Sequence, residues 1–375
     1  MKVFCKPFFK ITFCVLIFAL FCTCVLETPS ESQSEEEQSS SETSSTPNIT
    51  FTELSPSVSV ACLNSCTTLN CVAKAEEGTV LYQWYESSDG SYENSFALQG
   101  ETSSALSVSA FDSAGIRFFY CKTFVQDEAQ TSIAEAKSQM FCVFESGLPK
   151  VIIETPDRVA ITSKEVWTEN ATISLTGASD ASWNFDAIKT SIRGRGNSTW
   201  GQPKKPYALK LDKKQKIMGM PKHKRWVLIA NYLDNSFMRN EMAFYLSEQV
   251  GLDWTVHGEF VDLVLNGEYK GLYWLGEAIK VDENRVNIND GTETMTDDED
   301  KDYLIEMDVY YDEIVKFKSS IRNMPYMIKN DDYMIDDSDT ITSGGEARLN
   351  RLQEKITALE EKLYPDFTAG MNTNN

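Results

Sequence analysis

The feature that most constrains this chain is a run of short strand-like segments with concentrated positive charge, residues 193–288, inside an otherwise acidic protein. Arg193, Arg195, Lys204, Lys205, Lys210, Lys213, Lys214 and Lys216 fall close together, while the 375-residue chain carries a net charge of −21. A local basic surface on an acidic protein points to a discrete anionic ligand, and the overall charge argues against nucleic acid as a partner.

The pattern within this run is that of pleated strands. Tyr207, Leu209 and Leu211 share one face of a strand, and Ala208 and Lys210 share the other. Asn266-Gly267, set between apolar runs over 259–275, supplies the two positive-φ positions of a tight hairpin turn. Further strands are expected at 151–153, 171–175, 189–192 and 226–230. A helix is expected over 235–250, with Asp234 as its N-cap and Met238, Met242, Phe244, Tyr245 and Leu246 as its apolar residues. Several strands with one intervening helix give an α+β layer. A second, amphipathic helix is expected around 346–363, with Leu349, Leu352, Ile356, Leu359 and Leu363 at heptad-like spacing.

Upstream, the texture differs. Lys2, Lys6 and Lys10 precede an apolar run, Ile11 to Phe21, that is short for a membrane span and suits an export signal. Residues 1–24 therefore read as a signal peptide of lipoprotein type, with Cys24 (or Cys22) as the lipidated residue; plain secretion is the alternative. Residues 25–48 are rich in Ser, Glu and Thr and have no basic side chain, a composition that buries too little apolar surface to fold and reads as an acidic linker. The expected location is the cell envelope, with the membrane as a partner through the lipid anchor.

Residues 49–147 alternate short apolar runs with Ser, Gly and Asp clusters. Cys71, Trp84 and Cys121 have the spacing of an immunoglobulin-like sandwich, in which a disulfide joins the two sheets and the Trp packs on it. Phe119 stands two residues before Cys121, where a corner tyrosine is usual. Export makes disulfides the default, so Cys71–Cys121 is the expected bridge, Cys62–Cys142 a possible second one, and Cys66 the odd cysteine. This domain shows no catalytic constellation and reads as a spacer or adhesion module.

The linked motifs Arg193-Gly-Arg-Gly-Asn-Ser-Thr-Trp200, Trp226 to Tyr232, Ser236-Phe-Met-Arg-Asn240, Val261 to Tyr273 and Asn284-Arg-Val-Asn-Ile288 resemble the spore coat protein H (CotH) family of atypical protein kinases. Asp302 to Asp308 resembles the strand that follows in that family. The resemblance covers roughly 150–330 of a domain read as 150–375. It implies a kinase-like N-lobe using ATP with Mg²⁺ or Mn²⁺ to phosphorylate a secreted or surface protein. Lys210 is then the candidate ATP-phosphate lysine, Arg239 or Glu241 the residue that orients it, and Arg193 and Arg195 supporting phosphate contacts. The family's downstream acids are not found: the chain has no Trp-Asp pair. The C-lobe is therefore expected to be missing or supplied by a second chain, and the catalytic residues stay unassigned. The alternative is a catalytically inactive surface binding or adhesion module.

Other acids offer little. Asp297 to Asp300 and Asp331-Asp332 lack the spacing of a calcium loop and read as solvated. Glu306 and Asp308 share a strand face. His223 and His257 lack neighbours at metal-ligand spacing, so no metal site is expected.

Overall fold

The computed structural model describes residues 47–61, 66–126, 131–289, 302–331, 333–336 and 338–365. The leader, the linker, Cys24, Cys62, and the acidic runs 297–300 and Asp332 lie outside the described residues. The chain is mostly β-sheet with few helices, and it divides into two compact units. One holds 1–153 with 174–186 and 262–271; the other holds 154–173, 187–261 and 272–375.

The N-terminal strands form a two-sheet sandwich. β1 (Ile49–Leu54), β3 (Thr67–Ala75) and β6 (Ala105–Val108) make one sheet. The other has β2 (Val58–Val60), β4 (Val80–Ser87), β5 (Ser95–Ala97), β7 (Gly115–Gln126), β8 (Ser132–Lys137) and β9 (Phe141–Glu145). Alternation drives the closure: Leu69 and Cys71 from the first sheet meet Trp84, Phe119, Cys121, Phe141 and Val143 from the second, all fully buried. Phe119, at the expected tyrosine-corner position, is core and makes no corner hydrogen bond.

The expected Cys71–Cys121 bridge is corrected. Both residues are buried free thiols, and Cys121 Sγ donates to Lys122 O at 3.8 Å. What ties the sheets is the packing of Trp84, whose indole Nε1 donates to Ser103 O at 2.8 Å. Cys66 and Cys142 are also free thiols, and the expected Cys62–Cys142 pairing falls on Cys62, outside the described residues.

All strands expected between 150 and 277 are present, and the sheet they form has no free edge. β10 (Lys150–Glu154), β11 (Thr168–Thr176), β12 (Phe185–Gly194), β13 (Tyr207–Ile217), β14 (Met220–Ile229), β15 (Gly258–Leu265) and β16 (Glu268–Glu277) close into a seven-stranded barrel. Closure comes from one parallel pairing, β10 with β15, that consumes both sheet edges. The core holds Val151, Ile153, Ile173, Ile192, Leu209, Leu211, Trp226, Leu228, Val261, Leu263 and Leu275. Asn266 and Gly267 take φ of 55° and 78°, the expected turn between β15 and β16.

α1 (Arg239–Gln249) starts later than expected, because Asp234 spends its carboxylate on Ser236 N and Oγ and on Arg239 N at 2.9 Å. That set of bonds holds the entry turn. β17 (Ile305–Met307), β18 (Lys316–Lys318) and β19 (Pro325–Ile328) form a small antiparallel sheet, and α2 (Ser343–Leu363) packs on it.

Candidate anion-binding site

The outer face of β12, β13 and β14 gathers three cations in neighbouring register. Ser191 and Arg225 are the cross-strand partners of Lys210, and Arg193 is the partner of Ala208. Because Tyr207, Leu209 and Leu211 take the inward positions, Lys210 is left on the outside and exposed. The segment before β11 covers part of this face. Gly194 N donates to Ser163 O at 2.8 Å, and Ser163 Oγ accepts from Glu165 N and Val166 N. That turn sets Trp167 over the sheet.

The guanidiniums of Arg193 and Arg225 both lie over the Trp167 ring, at 4.7 Å and 5.0 Å from its centroid. Stacking on a π-face keeps each fork planar and oriented without consuming its donors. Arg193 Nη1 donates to Glu165 O at 3.3 Å, and its buried Nε has no hydrogen-bond partner. Among the described residues, Arg193, Arg225 and Lys210 form no ion pair. Burial and then the adjacent Arg193 charge hold the Arg225 pKa below the ordinary arginine value. Two like charges held together, with an unused buried donor, form a surface that an oxyanion would stabilise.

The remaining predicted residues are dispersed. Arg195 is largely enclosed, and burial lowers its pKa. Glu241 does not face Lys210; its Oε2 accepts from Trp274 Nε1 at 3.0 Å, which pins α1 to the barrel. Arg239 is exposed, with its nearest carboxylate on Asp234 at 3.7 Å. The two residues expected to orient Lys210 therefore belong to the helix attachment. The glycines of Arg-Gly-Arg-Gly also serve packing: a Cβ on Gly194 would sit 2.4 Å from the Trp200 ring, and one on Gly196 would sit 2.1 Å from Thr199 Oγ1. Lys204 bonds Leu272 O and lies over Phe237 and Tyr273, while Lys205 donates to Trp200 O at 2.7 Å.

Sequence reasoning missed Trp167 and Arg225. An Arg-Trp dipeptide at 225–226 was visible, but nothing local assigns Trp167 to the same face. It also treated His257 as isolated, whereas its Nδ1 lies 3.0 Å from the buried Glu277 and its Nε2 lies 3.2 Å from Glu248. His223 accepts from Arg225 N at 2.9 Å.

The cation face suits phosphate groups, since two forks and an ammonium share it and, among the described residues, none of them is in an ion pair. Acids for a divalent cation are not gathered in the same way. Glu306 pairs with Lys329 at 2.9 Å, and Asp308 accepts from Tyr310 N. Among the described residues, no group of three or more His, Cys, Asp or Glu is placed to hold a metal ion.

Residues 192–374 match the family model described as CotH kinase protein. This part of the chain is a CotH-like domain. The match takes in Arg193, Lys210, Arg225, Arg239 and Glu241 and leaves Trp167 outside. No curated protein matches. Among solved structures, the chain is similar to the crystal structures of Dscam1 isoforms 7.44 and 9.44, N-terminal four Ig domains. Each is 14% identical with a TM-score of 0.20; the alignments cover 45% and 46% of this chain and 43% of each structure. The chain thus spans less than half the length of those structures.

Proposed function

We propose that this is an exported surface protein whose CotH-like domain binds ATP on the outer face of β12–β14 and phosphorylates a secreted or surface protein. ATP would supply the transferable phosphoryl group. Arg193 and Arg225 would hold its phosphates and Lys210 would reach them from the exposed side, with Mg²⁺ or Mn²⁺ as the expected ion. The observation that carries the reading is the guanidinium pair on Trp167, left with a buried unpaired Arg193 Nε and, among the described residues, no carboxylate in an ion pair. A lipid anchor at Cys24 would hold the protein at the envelope, and a second chain could supply further catalytic acids.

The second reading, a catalytically inactive binding or adhesion module, draws support from Glu241 and Arg239, which are committed away from Lys210. Equilibrium ATP binding to the purified chain, with and without Mg²⁺ or Mn²⁺, separates the two. The expected result is saturable binding, weakened roughly tenfold or more in Lys210→Ala and in Arg193→Gln, at about 1.4 kcal/mol per tenfold. Transfer of labelled γ-phosphate to surface proteins would follow. A folded chain that binds no nucleotide removes the kinase reading.

A further inference from the structure

Five polar residues of the first unit meet where β9 passes into β10. Glu145, Lys150 and Asp262 are each at least 98% buried. Lys150 Nζ donates to Glu145 Oε1 at 2.8 Å and Oε2 at 2.9 Å, and to Leu148 O at 3.3 Å. Asp262 Oδ1 accepts from Tyr269 OH at 2.9 Å, and Oδ2 accepts from Ser146 Oγ. Phe144 closes on the Tyr269 ring, centroids 5.1 Å apart.

Topology sets the amine beside the second acid. β10 and β15 run parallel with Lys150 directly opposite Asp262. Val151 and Ile153 on one strand and Val261 and Leu263 on the other point into the barrel, so Lys150 and Asp262 share its outer face. Neighbouring strands lie about 4.8 Å apart. The Lys150 stem reaches Glu145, and the Asp262 carboxyl sits at the paired position of the adjacent strand.

We propose that Lys150 and Asp262 condense into an intramolecular amide, with Glu145 as the proton acceptor. Glu145 takes a proton from the Lys150 ammonium, freeing the amine. The Nζ lone pair attacks Cγ of the Asp262 carboxylic acid, and the C–N bond forms. Tyr269 OH and Ser146 Oγ stabilise the oxyanion of the tetrahedral intermediate. The nitrogen loses its second proton, the hydroxyl leaves as water, and Glu145 ends as the neutral acid. No oxidant or cofactor is required. In water the ionised acid and amine oppose this condensation. Here, burial disfavours the Asp262 carboxylate and favours the uncharged amide product. Burial also pushes the Asp262 carboxyl above its ordinary value, against the hydrogen bonds from Ser146 and Tyr269. Holding both groups on adjacent strands replaces a bimolecular encounter.

Mass spectrometry of the purified, folded full chain tests this, and it needs no knowledge of any ligand. The expected result is an intact mass lower by one water and, after digestion, a branched peptide joining Lys150 to Asp262. Lys150→Arg and Asp262→Ala should both lack the branch, and Glu145→Gln should slow its appearance or abolish it. Asp262→Asn should release ammonia instead and arrive at the same cross-linked mass as the natural chain. Folded wild-type protein at full mass, with the two peptides recovered separately, overturns the proposal. That reading rests on the natural chain alone, so it stands even if a variant fails to fold.

Discussion

Gly194 shows how a single position can be read for the wrong reason. Its lack of a side chain suits a phosphate-approaching backbone, but the space is filled by Trp200. Gly194→Ala should therefore destabilise the domain by about 1–3 kcal/mol through overpacking. Gly201→Ala, with nothing within 4 Å of the new Cβ, should leave stability nearly unchanged. Urea midpoints of the two variants make the comparison. His223 carries a pH signature of the same local kind. Burial and then the Arg285 charge hold its pKa below the ordinary histidine value, against the pull of Asp282. A lowered folded pKa means that the unfolded chain binds the extra proton first. Stability should thus be full above the ordinary value and lost as pH falls below it. Replacing His223 with Gln should flatten the urea midpoint between about pH 7 and about pH 5 relative to the natural chain.

At the scale of elements, the helices show what periodicity does and does not settle. The stripe Leu349, Leu352, Ile356, Leu359, Leu363 was legible, and α2 forms where expected. Only its first half is used: Leu349, Leu352 and Ile356 pack with Val315, Phe317, Ile328 and Met334, whereas Leu359 and Leu363 remain 51% and 60% exposed. The helix outruns the small sheet beneath it, and near its end the buried Glu360 instead accepts from Ser319 Oγ at 2.7 Å. Leu352→Ala should cost about 2–4 kcal/mol, and Leu359→Ala no more than about 0.5 kcal/mol, in the same denaturation experiment. α1 is the contrasting case. Its apolar residues suggest a buried face, yet Met242, Tyr245 and Leu246 are about half exposed. The helix is held by Phe244 against Trp274, ring centroids 5.1 Å apart, and by the Glu241 bond to the same indole. Its attachment to Trp274 on a distant strand is a contact that no helical periodicity could reveal.

For the whole molecule, charge and alternation were informative and closure was not. The many short strands follow from period-2 alternation and the tight hairpin from the Asn266-Gly267 turn, signals that act over a few residues. The linked motifs carried the family. The same alternation fixes that Lys210 faces away from Leu209 and Leu211, and the structure places it so. Whether seven strands end in open edges or a barrel depends on one pairing between β10 and β15, segments distant in sequence and joined only by the folded chain. That pairing sets Lys150 against Asp262. Tertiary packing likewise brings Arg193 and Arg225 over the Trp167 ring and turns Glu241 toward Trp274. The sequence alone determined which faces of each strand are apolar, because side-chain direction alternates by local geometry. Only the tertiary structure decided which charged groups meet, because those meetings depend on loop closure and on contacts between residues far apart along the chain.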